Sequence, residues 1–600
     1  MHVLDPRTGA RGFQAMVPMR DGTRLNTFIF VPANGGPRWP VILHRTPYGI
    51  AAADARDKRD CTRAWLPSTA EPLRGSILRG WRKIVERGYV AVYQDTRGRH
   101  GSEGEDRVYA DDAADGYDTL EWIARQPWTN DRVGMSGSSA GATTTFAAAS
   151  TRHPTLRAFF AQAGASSIYD DVVYEGQSIE MERLWLWVAR NIPGLSRSHR
   201  EAVMRRAGTS DAELEAAARS AAARYTRLDA ARTAEPPFVG SSDWMRLPLT
   251  RYPDFALWQP FLDEIITHPA PDPFRAAHDF RRTIDIPGFH VTTWFDIFQT
   301  SVIAAFNDIR ARVGNQLLWI GPNEHYFVYH HNFWSHDPYF DWFDYWLKGK
   351  PTGIMDRPAV FYSPHAWVED REAYYPDDWR YAECWPLRET RPQRLYLQGD
   401  GGLRSDGQGG APRSYRYDPR RPVPTRGGRN MLIDAGPRDQ RPVQALPDYG
   451  LIYRGGELAE RLSIAGEVRV GLSVQSNCPD TDFVAKLIDL HPDGRAMLLM
   501  DGVSRAIYRD PSGEPRHLVP DRVVPLTISL GHIHHTFAAG HAIEVDITSS
   551  NFPRRARNTN SGHPVLASDG EADIRIAVNT IHHARETPSF VEIPVLPPAL

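Results

Sequence analysis

The chain has 600 residues, 41% of them hydrophobic; this exceeds the usual single domain and is enough to fill two or three cores. Lys and Arg together number 70 against 73 Asp and Glu, a formal net charge of −3, so no strong overall field draws nucleic acid or an anionic membrane. Cys61, Cys384 and Cys478 lie far apart with no metal-type spacing, the sequence opens on no basic-then-apolar leader, and no run of about 18 apolar residues occurs, so reduced thiols and a cytoplasmic protein are expected.

From about residue 15 to 165, strand and helix signals alternate. Residues 27–31, 40–43 and 89–93 are apolar and β-branched, and residues 111–125 form a helical stretch with acids at its start. Such alternation predicts a mostly parallel sheet. Residues 132–135 then read as a short buried strand and 142–151 as a small-residue, closely packed helix. Between them stands Gly137-x-Ser139-x-Gly141, the pattern that sets a serine on a strained strand-to-helix turn. The glycines let backbone cross backbone, and the amide of Ala140 points at the oxygen that becomes negative in acyl transfer. Of Ser136, Ser138 and Ser139, only Ser139 has glycine on both sides at that spacing, and the pattern alone also fits a plain tight turn.

Residues 180–188, 198–206 and 211–224 are helix-like with no clear strand among them, which predicts a helical cap inserted into the sheet. Residues 286–295 then form an apolar strand that delivers Asp296 at its end. Residues 316–320 form another, followed by Gly321-Pro322-Asn323-Glu324-His325 as a loop expected to leave the ladder. Residues 337–348, rich in Phe, Tyr and Trp, predict the last large core helix. From about 386 the texture is all β, with runs such as 394–397 and 468–474 between Gly, Pro and Asp turns, and the Gly-, Pro- and Arg-dense residues 398–447 read as surface loops.

A serine hydroxyl is a poor nucleophile unless a histidine takes its proton and a carboxylate orients that histidine. Asp296 and His325 follow Ser139 in the order of an α/β-hydrolase. Asp296 has a rival reading as a helix N-cap, and His325 has neighbours in His330, His331 and His336. His532, His534 and His535 read as a solvated strand face rather than a metal site, and Asp480-Thr481-Asp482 as a β-turn lacking the calcium-loop pattern.

Ser139 in its glycine elbow, Trp294-Phe295-Asp296 and Gly321-Pro322-x-x-His325 resemble the bacterial cocaine esterase (CocE/NonD) family of serine hydrolases, whose relatives include α-amino acid ester hydrolases, glutaryl acylases and Xaa-Pro dipeptidyl-peptidases. Arg45-Thr46-Pro47-Tyr48 resembles that family's oxyanion loop, and the run from Gln94 to Gly104 its signature before the elbow. Asp480-Thr481-Asp482-Phe483, the run from His491 to Arg495 and Ser549-Ser550-Asn551-Phe552-Pro553 look like its terminal β-domain. The resemblance implies an α/β-hydrolase core in two parts, residues 1–165 and 281–385, a helical cap over 166–280 and a jelly-roll domain over 386–600. It also implies acyl transfer through an acyl-enzyme on Ser139, with the Tyr48 hydroxyl joining the Ala140 amide as oxyanion donors.

Where α-amino acid ester hydrolases carry acids after the triad aspartate, this chain has Ile297-Phe298-Gln299, which counts against an amino-ester substrate. Phe298 matches the aromatic residue of the cocaine esterase at that place, and Trp185 or Trp187 would supply the cap tryptophans that enclose an aryl acyl group. A small-molecule ester with a hydrophobic or aromatic acyl group is the leading expectation, with no metal or organic cofactor, no nucleic acid and no membrane, and with a homo-oligomer left open. The alternative is an amidase, an acylase or a dipeptidyl-peptidase that anchors a free amine on Asp170, Glu180 or Glu182. A non-enzymatic reading leaves a pseudo-hydrolase whose jelly roll binds carbohydrate or protein.

Overall fold

The computed structural model describes residues 2–4, 8–34, 36–50, 80–231, 243–250, 252, 255, 261–325, 338–369, 379–407, 409–431, 433 and 435–597. An eleven-stranded sheet organises the N-terminal part. Its strands are β1 (His2–Leu4), β2 (Arg11–Pro18), β3 (Arg24–Val31), β4 (Trp39–Thr46), β5 (Val90–Asp95), β6 (Thr129–Ser138), β7 (Leu156–Gln162), β8 (Gly288–Phe295), β9 (Gln316–Glu324), β10 (Val360–Tyr362) and β11 (Arg380–Ala382). They lie in the order β1-β2-β3-β5-β4-β6-β7-β8-β9-β10-β11. The central block from β5 to β10 is parallel, and antiparallel strands close both edges. Val41, Ile42, Leu43, Val90, Ala91 and Val92 are all fully buried, as strands covered on both faces require. The covering helices include α1 (Trp81–Glu86), α2 (Asp112–Ala124) and α3 (Ala140–Ser150).

Between β7 and β8 the chain forms α4 (Met181–Asn191), α5 (Arg197–Ala207) and α6 (Asp211–Ala231). The expectation of no strand there is corrected by a two-residue hairpin, Tyr174–Glu175 against Ser178–Ile179. Its turn uses Gly176 at φ 53°, where an added Cβ would sit 1.9 Å from the Val503 carbonyl oxygen, so only glycine admits the approach. After β8 come α7 (Gln299–Val313) and, beyond β9, the aromatic α8 (Pro338–Lys348). The expected loop after residue 320 is also corrected: β9 runs on to Glu324, pairing Gly321 with Thr293 and Glu324 with Phe295 across a register shift. The irregularity absorbs Pro322, and Asn323 turns to φ 65° while its amide donates to Ala366 O.

Beyond residue 385 the strands are β12 (Arg391–Leu397), β13 (Leu403–Arg404), β14 (Arg413–Tyr417), β15 (Leu451–Arg454), β16 (Leu462–Ser476), β17 (Asp482–Leu490), β18 (Ala496–Arg505), β19 (Val524–Phe537), β20 (Ala542–Thr548), β21 (Ala577–Ile581) and β22 (Phe590–Val595). They build two antiparallel sheets, one ordered β13-β12-β22-β16-β21-β14 with β19 on β16, the other β15-β20-β17-β18. Residues 398–447 are not all surface loop, since Arg429, Asn430 and Met431 are buried. Asp480 and Asp482 are not an exposed turn either: both are buried, and Arg505 lies 3.0 Å from Asp482 while Asn558 donates to both carboxylates. A buried acid keeps its charge only beside such partners, which here come from distant segments.

Charge also fastens the cap hairpin to the sandwich. Glu175 meets Arg429 at 2.9 Å, Arg555 at 3.1 Å and Arg554 at 3.2 Å, Glu180 pairs with Arg555 and, at 2.9 Å, with Arg183, and Arg554 pairs with Asp501. Burial pushes the Glu175 and Asp501 carboxyls up, but the surrounding guanidiniums of Arg555, Arg429 and Arg554 more than reverse it and hold both below the ordinary range. A carboxyl depressed in the fold adds stability above its unfolded value, and that stability is lost as pH falls through the folded one. The melting temperature is therefore expected to hold from pH 7 to about 5 and to drop steeply below about 4. Glu175→Gln should start lower and drop less; parallel curves for the two proteins would count against the clamp as the acid-sensitive element.

Candidate active site

Strand β6 ends at the elbow. Ser139 sits at φ 54° and ψ −125°, a strained conformation for a residue with a side chain, and its amide donates to Gln162 O on β7 at 2.9 Å. The glycines have steric reasons. A Cβ on Gly137 would lie 2.0 Å from Gly141 O, and one on Gly164 would lie 2.4 Å from Ala142 Cβ and 2.8 Å from Ser139 O. Helix α3 begins at Ala140, so that amide belongs to the first turn, where N–H groups have no partner within the helix.

The other two expected residues arrive from β8 and β9. Asp296 follows β8, is fully buried, and accepts hydrogen bonds from Thr292 Oγ1 at 2.8 Å and the Phe298 amide at 3.1 Å. His325 follows β9; its Nδ1 lies 2.7 Å from Asp296 Oδ1 and its Nε2 3.1 Å from Ser139 Oγ. An ionised carboxylate can only accept, so Nδ1 carries the ring proton and Nε2 is left to accept from the serine. Phe298 packs edge-on against the His325 ring, centroids 5.8 Å apart. Asp296 thus has a triad geometry and caps no helix, since the residue before α7 is Phe298.

Tyr48 brings its hydroxyl 3.2 Å from Ser139 Oγ. Trp187 Nε1 donates to the same hydroxyl at 3.3 Å, which leaves the phenolic proton to point toward the serine side. The run from Gln94 to Gly104 holds this loop in place. Asp95 accepts from the Ile50 amide at 3.0 Å, His100 Nε2 reaches Pro47 O at 3.1 Å, and the His100 amide donates to Gly194 O at 2.8 Å, tying loop and cap together. Beneath it, buried Arg45 donates to Gln94 Oε1 at 2.8 Å and meets Asp112 at 3.2 Å.

A narrow, mostly apolar cleft of about 20 Å³, room for little more than one water, lies beside Ser139 and Ala140, walled by Leu184, Trp187, Phe298, Tyr109 and Met431 with Arg183 beside them. Trp185 is a correction to the sequence reading: it is fully buried, edge-on to Tyr252 and Phe255 at 5.4 and 5.6 Å, and away from the cleft. Residues two apart on a helix face nearly opposite sides, so only one of the two tryptophans could reach it, and Leu184 and Trp187, three apart, share the inner face. Met431 was missed, because nothing in its Gly- and Arg-rich surroundings marks an apolar residue of the distant sandwich as a wall of this cleft. Tyr326, Phe327 and Tyr329, which the sequence offers as further aromatic walls of the pocket, lie outside the described residues, as do His330, His331, His336 and Cys61.

The three proposed amine anchors are committed elsewhere. Glu180 serves the clamp, Glu182 Oε1 accepts from the Ile433 amide at 3.0 Å, and Asp170 pairs with Arg275. The three histidines of 532–535 do not form a solvated face: Trp385 Nε1 donates to His532 at 3.2 Å, His534 is buried against Pro364 O, and His535 Nε2 reaches Asp489 at 3.0 Å. Cys384 and Cys478 are free thiols.

The chain matches the profile of the X-Pro dipeptidyl-peptidase (S15) family over residues 21–327 and that of the X-Pro dipeptidyl-peptidase C-terminal non-catalytic domain over residues 358–592. It is 31% identical to the cocaine esterase of Rhodococcus sp. strain MB1 Bresler, over 97% of this chain and 98% of that one. Among solved structures it is similar to an aminopeptidase from a marine sediment archaeon (Thaumarchaeota), with TM-score 0.71 and 23% identity over 99% and 98% of the two chains. An α-amino acid ester hydrolase superposes with TM-score 0.70 and 23% identity over the same shares.

Proposed function

The chain belongs to the X-Pro dipeptidyl-peptidase S15 family, and from its likeness to a cocaine esterase within that family's architecture we propose that it is a carboxylic ester hydrolase whose nucleophile is Ser139, taking hydrophobic or aromatic acyl groups. The observation that carries the reading is the unbroken line from Asp296 through His325 to Ser139, at 2.7 and 3.1 Å. His325 Nε2 takes the hydroxyl proton as Ser139 Oγ attacks the carbonyl carbon, then returns it to the departing alcohol. Water repeats the cycle on the acyl-enzyme. Asp296 fixes the tautomer and stabilises the imidazolium, and the Ala140 amide and Tyr48 hydroxyl receive the oxyanion.

The substrate class rests on the cleft. Its walls offer aromatic and aliphatic faces from Trp187, Phe298, Leu184 and Met431, which a flat apolar acyl group would contact once these side chains part to admit it. A dipeptidyl-peptidase needs an acid for the free amine, and Asp170, Glu180 and Glu182 are already paired with Arg275, Arg555 and the Ile433 amide. Kinetics on p-nitrophenyl esters beside aminoacyl-proline p-nitroanilides test both points. The benzoyl and medium-chain acyl esters are expected to exceed the anilides in kcat/KM by at least about a hundredfold, the reach of a pocket lacking an acidic anchor. Faster cleavage of the anilides would establish the peptidase reading instead.

A further inference from the structure

On the sandwich, far along the chain from Ser139, three backbone segments bring Asp489, His491, His535 and His541 together. Asp489 lies near the end of β17 and His491 just after it, His535 lies in β19, and His541 immediately precedes β20, which pairs with β17. Asp489 is buried, and both of its oxygens are turned toward imidazoles: Oδ1 lies 2.7 Å from His541 Nδ1, and Oδ2 lies 3.0 Å from His535 Nε2 and 3.9 Å from His491 Nε2. One ligand-type atom each from Asp489, His491 and His541 lies within 4.8 Å of the others. The His491 and His541 ring centroids lie 4.3 Å apart, their planes tilted by 41°. Asp489, His491 and His535 also line a cavity of about 750 Å³, whose other wall is Phe295, Trp367 and Arg380 of the hydrolase core.

We propose that Asp489, His491 Nε2 and His541 Nδ1 form a binding site for a divalent transition-metal ion such as Zn²⁺, with His535 hydrogen-bonded to the carboxylate. Imidazole nitrogen with a single carboxylate oxygen is the donor set that first-row transition metals prefer, and it is poor for calcium or magnesium. Around an ion with bonds of roughly 2.0–2.1 Å, tetrahedral ligand atoms stand about 3.3 Å apart. His541 Nδ1 stands 2.7 Å from Asp489 Oδ1 and His491 Nε2 3.9 Å from Asp489 Oδ2, and the ligand-type atoms of the three residues lie within 4.8 Å of one another, so insertion asks the rings to swing inward by up to about 1.5 Å. His535 supplies the outer hydrogen bond that orients a ligating carboxylate. Arg495 now faces His491 Nδ1 at 3.3 Å, but it is exposed and held at 2.7 Å by Asp493, so it can turn away when that nitrogen takes the ring proton. Asp489 and His491 border the cavity, from which water would complete the coordination. The ion would tie the β19–β20 turn to the end of β17.

The test uses the full-length protein, freed of metal with a chelator and titrated with Zn²⁺ and, as a spectroscopic substitute, Co²⁺. Expected are one equivalent of metal retained after gel filtration, visible cobalt bands of a four- or five-coordinate site, and a raised melting temperature. His491→Gln, at a partly exposed turn where folding is not at risk, and His541→Gln should each abolish the bands and lower affinity at least tenfold, and His535→Gln should lower it by about 10–100-fold. Ester hydrolysis at Ser139 should be unchanged in all three, which separates this site from the proposed chemistry. Failure of the wild type to retain metal, or equal retention by wild type and the His491 and His541 variants, would overturn the proposal; the second result would place the metal elsewhere.

Discussion

Ser139→Ala is expected to lower kcat/KM for a p-nitrophenyl ester by about 10⁴ to 10⁶-fold, leaving only the residual rate that binding and oxyanion donors provide. In the proposed mechanism the loss is large because one atom disappears from a chain of three that would work as a unit: without Oγ, a base at His325 Nε2 has no proton to take and Asp296 orients a ring with no task. The fold should be untouched. Alanine keeps the Cβ, the elbow conformation is already set by Gly137 and Gly141, and no hydrogen bond of the core runs through the hydroxyl, whose neighbours are His325 Nε2 and Tyr48 OH. Three measurements on one preparation decide it: steady-state kinetics, a melting curve within about 1 °C of wild type, and covalent labelling by a fluorophosphonate, present in wild type and absent in the variant. Equal labelling of the two proteins would remove Ser139 from the role of nucleophile.

The second large effect belongs to Tyr48. Tyr48→Phe removes one hydroxyl from a half-exposed ring and should reduce kcat by about a hundredfold, the usual loss for a single oxyanion donor, close to 3 kcal/mol. The expected pattern has KM nearly constant, since the bond strengthens only as charge develops on the carbonyl oxygen. Trp187 helps to set this up. Its indole donates to the phenol at 3.3 Å and thereby turns the phenolic proton away from itself. A Phe variant with wild-type kcat and raised KM would make Tyr48 a wall of the cleft instead.

Much of this was legible from residues alone because it rests on local sterics and strand periodicity. The crossing at Gly137 admits no side chain, and a strand that ends in Trp294-Phe295 delivers the next residue, Asp296, at the sheet's carboxyl edge. Less legible was what depends on partners far away in sequence. Asp480 and Asp482 have the composition of a turn, and only the arrival of Arg505 and Asn558 makes them interior. Met431 reaches the cleft from a segment whose glycines and arginines read as solvent-facing, because helix and strand periodicity are silent in irregular chain. Trp185 and Trp187 are an intermediate case: helical phase separates them, but which face looks inward is fixed only once Tyr252 and Phe255 pack on the other.

The arginine-rich contact between the cap hairpin and the sandwich bears on how a substrate reaches the serine. Swinging the cap outward as a rigid door would separate Glu175 from Arg429, Arg554 and Arg555 and Glu180 from Arg555 in one step, leaving Glu180 only Arg183 of the cap itself. Several ion pairs that must break together oppose that motion. Entry and exit then fall to rotations of the side chains at the rim, so that breathing of a few aromatic rings, rather than travel of a folded unit, sets the tempo of exchange with solvent.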